Sequence, residues 1–312
     1  MATSGSVDFS RTRSEIITHA LQVCKVLAEG ETANSTQLSD GAAYLNMVVK
    51  WLQADGMPLW SLKTAYLLPV TDTNTLATNS HWVHSFTQSN LAADASSGAS
   101  TISVDSATGF AASQVIGIEL SDGTMQWTTI NGALSGTTVT LTTALTGAAS
   151  DDAQVYTYAT SVRAYRPLRV THAMSHDVVA GNDIRVEVIA HRDYADIGDK
   201  TAESYPNQLH YDPQLETGGF YFYPRFSNGD KYLTVEYHRP FEDFDSATDT
   251  PDFPQEWYLP LVWLLAWALS PWSGMPLAER KMLREEAVAL KDMAASGTSN
   301  EEQSIRLTPS ER

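Results

Sequence analysis

The chain has one cysteine, Cys24, among 312 residues. A single thiol excludes an internal disulfide and any zinc site built on paired cysteines. Basic residues are scarce as well: 20 Lys and Arg stand against 37 Asp and Glu, a formal charge of −17. A protein that grips nucleic acid by neutralising phosphates needs clustered Lys and Arg, so this balance argues against that class. Long apolar runs are missing. The longest, Trp257 to Leu269, has thirteen residues, short of the roughly 20 that span a bilayer. The first residues, MATSGSVDFSRTRSE, lack the apolar centre of a secretory leader. The expectation is a soluble protein of a reducing compartment with no membrane partner. No GxGxxG, P-loop, GxSxG or HExxH pattern occurs, which removes the common nucleotide, hydrolase and metalloprotease signatures.

Hydrophobic residues make up 43% of the chain and aromatics 10%, too much for a disordered polymer. The length suggests about two domains. Composition shifts abruptly between Lys63 and Arg163, where no base occurs and seven acids do: Asp72, Asp94, Asp105, Glu119, Asp122, Asp151 and Asp152. The stretch is also rich in Ala, Ser, Thr and Gly, the mark of an inserted module.

Helical periodicity frames this middle. From Ser14, apolar residues at Ile17, Leu21, Cys24 and Leu27 predict a helix closed by Gly30. A second begins near Asp40, with Leu45, Val48, Val49 and Leu52 ahead of Gly56 and Pro58. The short connection predicts an antiparallel pair. Near the other end Pro254-Gln255-Glu256 opens a third helix. Trp257, Leu261, Leu264, Leu265 and Ala268 follow at helical spacing, with Trp263 and Trp267 beside them. Pro260 predicts a kink or restart. So many rings on one helix mean either that it is central or that it meets another subunit. A fourth helix runs from about Pro276 to Ala295 with Leu283, Ala287, Leu290 and Ala294 on one stripe, and Gly297 releases a polar tail.

Between the helices the pattern has period two. Thr101–Asp105, Val115–Leu120, Met125–Ile130, Thr137–Leu141 and Gln154–Tyr158 are short alternating runs, and Asp122-Gly123 and Asn131-Gly132 supply turn chemistry. They predict a small barrel or sandwich. Arg166–Ala173 and Ile184–Ala190 also read as strands. The strongest hairpin signal is Gly219–Phe226, then Ser227-Asn228-Gly229-Asp230, then Lys231–His238. The fold class expected is α+β: a helical bundle from the N- and C-terminal helices, an antiparallel β body, an inserted small β-barrel or sandwich, and an extended C-terminal tail. The corresponding segments are 1–56 and 250–297 for the bundle, 57–90 and 161–249 for the body, 91–160 for the insert and 298–312 for the tail.

Candidate chemistry is thin. His172 and His176 have the spacing of a helical metal pair, but on a strand they lie about 13 Å apart, too far for one zinc. His81 and His84 flank Trp82 in what reads as a loop. Asp252 and Glu256 could pair as glycosidase carboxylates, yet they sit where a helix start favours acids. Arg163, Arg166 and Arg169 either balance nearby acids or meet phosphate. No catalytic residue, metal or cofactor is assigned, and no enzyme activity is expected.

The order of pieces carries a resemblance. Two helices, a β body, Tyr211-Asp212-Pro213, the strand Tyr221-Phe222-Tyr223-Pro224, Tyr237-His238-Arg239-Pro240, Asp252-Phe253-Pro254-Gln255-Glu256-Trp257, a Leu/Ala/Trp-rich helix, another helix and a polar tail follow in turn. This resembles the head-to-tail adaptor (connector) proteins of short-tailed bacteriophages, the tail tubular protein A or packaged-DNA stabilisation type, over residues 12–90 and 160–310. The resemblance implies a non-enzymatic virion protein, made in the host cytoplasm. It forms a ring, typically a dodecamer, that joins the portal to the tail nozzle and lines the DNA channel. Its implied partners are the portal protein, the nozzle protein and itself, and DNA passes without specific binding. Ser304, Ile305, Arg306, Leu307 and Thr308 become portal-binding candidates. Trp257, Trp263, Trp267, Leu283 and Leu290 become inter-subunit candidates. Twelve copies at −17 each would carry −204 formal charges, and an acidic wall repels the DNA backbone. The alternatives are a nozzle or other tail component that binds its neighbours or a host surface, and a cell-wall hydrolase using Asp252 or Glu256.

Overall fold

The computed structural model describes residues 8–55 and 61–298. The chain divides into two units, one formed by residues up to 61 together with those from 240 onward, the other by Leu62–Arg239.

In the first unit, α1 (Arg13–Val23) and α2 (Ser35–Asp55) come from the N-terminal side. The capping box of α1 is complete: the Thr12 hydroxyl accepts from the Glu15 N–H, and the Glu15 carboxylate accepts from the Thr12 N–H. The helix ends at Val23, with Lys25 in the left-handed region at φ 62°. Gly30 is therefore not its cap. Two further helices, Tyr258–Leu269 and Leu277–Thr298, belong to the same unit. The first of these packs on α1, α2 and the other C-terminal helix, so it is the central one. It buries Leu261, Leu264, Leu265, Ala266 and Leu269. Pro260 is its third residue, in a first turn whose N–H groups have no helical partner to lose, and the α-helix starts at Tyr258 directly after the 3-10 turn Gln255–Trp257. The last helix runs on through Gly297.

The second unit is built almost wholly of strands. An eight-stranded sheet uses β1 (Leu62–Leu67), β2 (Thr75–Ala77), β3 (Trp82–Val83), β10 (Arg169–Asp177), β11 (Asn182–Val188), β13 (Gln208–Asp212), β14 (Gly219–Tyr223) and β16 (Lys231–His238). The strand order is β2-β14-β13-β11-β10-β16-β1-β3. Its outermost strands, β2 and β3, are joined by residues 78–81 alone. Four residues reach about 14 Å at most, so the sheet curls until its edges nearly meet, like a barrel. Inside lie Ala65, Leu67, Trp82, Phe220, Phe222, Leu233, Val235 and Tyr237, all fully buried. They alternate along β14 and β16 with side chains that keep some surface.

Residues 87–158 form a module with its own core. Here β4 (Thr87–Asn90), β6 (Val115–Glu119), β7 (Met125–Thr129) and β9 (Gln154–Tyr158) make a sheet of order β4-β9-β6-β7, while β5 (Thr101–Ser103) pairs with β8 (Thr138–Thr140). Gly123 turns the β6–β7 hairpin at φ +84°. Two short strands, β12 (Glu203–Ser204) and β15 (Arg225–Phe226), pair with each other, and α3 (His191–Ala195) lies in the crossover from β11 to β13.

Two expectations are corrected. The fold is not an α+β arrangement founded on a terminal helical bundle and an antiparallel body. It is mostly β, with a nearly closed eight-stranded sheet and few helices. That sheet is mixed, since β11 and β13 run parallel. A helical stripe is a loud sequence signal, whereas two- to five-residue strands closing a barrel are faint ones. The Asn228-Gly229 hairpin does not exist either. The aromatic strand β14 pairs with β13 and β2, while β16 pairs with β10 and β1. Pro224 has no N–H for a ladder, and Gly229 is needed for another reason. A Cβ on it would meet the Met125 sulfur at 2.7 Å and Glu119 Oε2 at 3.1 Å, so the glycine lets the module approach the barrel.

Candidate functional site

The helical unit carries an exposed aromatic strip. Tyr44, Met47 and Trp51 of α2 recur at i, i+3 and i+7, so they share a face distinct from the buried Leu45, Val48, Val49 and Leu52. The helices Tyr258–Leu269 and Leu277–Thr298, now α4 and α5, complete it. The rings of Tyr44 and Trp272, which lies just beyond α4, are 6.0 Å apart edge to face, and Trp51 meets Trp267 of α4 at 6.4 Å. From α5, Arg284 covers the Trp267 ring at 5.6 Å and Lys291 covers Trp51 at 5.5 Å. Trp272 is 75% exposed, Met47 59% and Trp51 40%. Burying rings of this size against a partner gives on the order of 2 kcal/mol each.

Around this strip the sequence-derived candidates separate. Trp257 and Leu283 are buried in the unit's core. Trp263 and Trp267 are half-buried at its rim, and Leu290 is half-buried on α5. The segment Ser304–Thr308 lies outside the described residues. The Leu/Val stripe of α2 by itself does not show Tyr44, Met47 and Trp51. Their own spacing was the signal.

The acids after the barrel serve the backbone. A hollow of about 550 Å³ is rimmed by Glu242, Asp243, Asp245, Asp249 and Asp252. Asp249 accepts the N–H groups of Asp245 and Ser246 at 2.8 and 2.5 Å, and Asp252 accepts that of Glu242 at 3.3 Å. Asp243 pairs with Lys50 at 2.8 Å. Glu256 is exposed in the 3-10 turn ahead of α4. Asp252 and Glu256 thus occupy a loop and a helix start.

In the β unit His172 and His176 both lie on β10, and His176 Nδ1 meets Asp183 Oδ1 at 2.8 Å. Among the described residues no group of three or more His, Cys, Asp or Glu could hold a metal ion. No helix there is long and apolar enough to cross a membrane. Arg166 donates to the Gln214 carbonyl at 3.0 Å, and Arg169 is exposed on β10. Arg163 lies beside His81 and Tyr158.

The densest chemistry lies where the module meets the barrel. His81 stacks on Trp127 at 3.9 Å, and the Tyr158 hydroxyl is 3.0 Å from His81 Nδ1. Burial, and then Arg163, pushes the His81 pKa down to about 4. Burial likewise lowers that of His84. At the other end of the contact the Tyr156 hydroxyl donates to the Gly229 carbonyl at 2.6 Å, and Glu119 accepts the N–H groups of Gly229 and Gln154, each at 3.3 Å. Burial raises the Glu119 pKa against those hydrogen bonds. These groups hold two sub-structures together.

No protein-family model matches the chain, and no curated protein matches it. One solved structure similar over a small part is the Gp54 tailspike of Acinetobacter baumannii bacteriophage AP22 in complex with a capsular saccharide. The match is 17% identical, takes in 23% of this chain and 14% of the tailspike, and has a TM-score of 0.21. A likeness that slight does not define a shared fold.

Proposed function

We propose that the chain is a structural protein of a bacteriophage tail or neck, working by packing against copies of itself and other virion proteins. In its finer form the reading is a head-to-tail adaptor: a ring, typically of twelve copies, between portal and nozzle, with DNA passing through its channel. Two features of the sequence support it, the order of its pieces and its acidity. The observation that carries it is the strip of exposed Met47, Trp51 and Trp272, with half-buried Tyr44 between them and the core, on the helical unit. Contiguous apolar surface rimmed by charges marks a protein contact.

The test is to mix the protein with its portal and view the product by negative-stain microscopy. Rings are expected for the natural chain and single protomers for a Trp51→Glu, Trp272→Glu variant of unchanged circular dichroism. A natural chain that stays monomeric and ignores the portal overturns the reading. A second reading, a nozzle component, is favoured by the mostly β architecture with its docked module. Purification with the distal tail rather than the portal would decide for it.

A further inference from the structure

The module leaves and re-enters the barrel through a narrow neck. Val83 bridges Arg163, the His84 N–H donates to the Val162 carbonyl at 2.8 Å, and the Ala164 N–H donates to that of Trp82 at 3.0 Å. Beyond the neck, residues 87–158 have a core of their own, with Ile116, Ile118, Val139 and Val155 fully buried. They rest on the barrel through a second, aromatic layer in which Phe86 packs near Tyr66 and Tyr232 at 5.2 and 5.0 Å and Tyr156 lies against Phe86 at 5.8 Å. A body with its own core, joined by two adjacent strands, can part from its support at the neck without unfolding.

His81 stands at that neck. Trp127, on which its ring stacks, belongs to the module, and the Trp127 indole donates to the barrel's Pro69 carbonyl at 3.1 Å. Of the groups facing the imidazole, β9 supplies the Tyr158 phenol, β7 the uncharged indole, and the segment after the neck supplies Arg163. The charge that faces His81 therefore has the sign its own ring would take up in acid.

We propose that the 87–158 module is held on the barrel through an uncharged His81, and that acid releases it as a unit at the neck while the barrel stays folded. The lowered pKa of His81 agrees in sign. The docked state favours the neutral ring, so docking is complete above the ordinary value of 6.5 and weakens as the pH falls toward about 4. Glu119, with Asp230 nearby, acts in the opposite sense, since its raised pKa means that a proton relieves a buried charge. The His81 displacement is the larger, and it corresponds to a loss of docking on the order of a hundredfold across that range.

Hydrogen exchange followed by mass spectrometry, corrected for intrinsic rates and run between pH 6.5 and 4, tests this on the full chain. Protection is expected to fall first at the docking amides of Met125, which donates to the barrel's Thr71 hydroxyl at 2.8 Å, and of Gly229, which donates to Glu119, while β16 and the module's own β6–β9 ladder stay protected. His81→Phe, which keeps a stacking ring without a proton site, is expected to abolish the pH dependence at those two amides. His81→Gln serves the same purpose if the Phe variant does not fold. Simultaneous loss of protection in barrel and module, no loss by pH 4, or an unchanged pH profile in the folded variant would each overturn the proposal.

Discussion

Gly229 shows how far one residue can be misread. Asn228-Gly229 has the composition of a two-residue hairpin turn, yet the strands on either side never pair with each other. What selects glycine is the Met125 sulfur and the Glu119 carboxylate across the contact. Gly229→Ala is expected to destabilise the β unit by about 1 kcal/mol, because the ends of the Met125 and Glu119 side chains must move to admit the methyl group. Urea denaturation followed by tryptophan fluorescence measures it, and an unchanged midpoint would show the contact to be pliable. Gly123 is the contrary case. Its positive φ sits in a real β6–β7 hairpin, where Asp122-Gly123 announced it. Gly123 answers to a distant surface as well, since a Cβ on it would meet the Ser227 carbonyl oxygen at 3.0 Å, but its positive φ is a local demand that the sequence shows.

At the scale of elements, helices were the more legible. Their stripes located α2, α4 and α5, and five of the module's six short strands were visible as alternating runs, β4 being the exception. Ends were less so. The first helix stops at Val23 because Lys25 adopts the left-handed conformation, which no composition rule assigns to lysine. Its start is stronger than the stripe suggested. Thr12→Ala is expected to cost about 1 kcal/mol of stability through loss of the reciprocal cap with Glu15. Thermal melting monitored at 222 nm reads it, and Thr12→Ser should restore most of the loss. The parallel pairing of β11 with β13 left no trace in either strand's pattern, since it depends on the crossover through α3.

For the whole molecule, the β unit has an internal closure that the sequence hides. Leu62 and His238, near its two ends, are register partners on β1 and β16. A fragment of residues 62–239 therefore begins and ends on adjacent strands and is expected to fold by itself. A cooperative melt and protease resistance of that fragment would bear this out, and a molten fragment would show that the sheet needs the remaining residues. The strip of Tyr44, Trp51 and Trp272 belongs to this scale too, because its rings come from two separate stretches of chain.

The scarcity of bases and the single cysteine were decisive by themselves. They argue against phosphate gripping and exclude an internal disulfide or a zinc site built on paired cysteines, because those features need residues this sequence has few of or lacks. Period-3.6 and period-2 patterns also settled where helices and module strands form, since each depends on neighbours in sequence. Only the tertiary structure decided that the sheet is mixed and nearly closed and that the module is seated on Gly229, Glu119 and His81. It alone leaves an aromatic strip of the helical unit uncovered. The pairings that nearly close the sheet, β1 with β16 and β2 with β14, and the ring contacts of the strip join residues more than a hundred positions apart, and no local pattern encodes them.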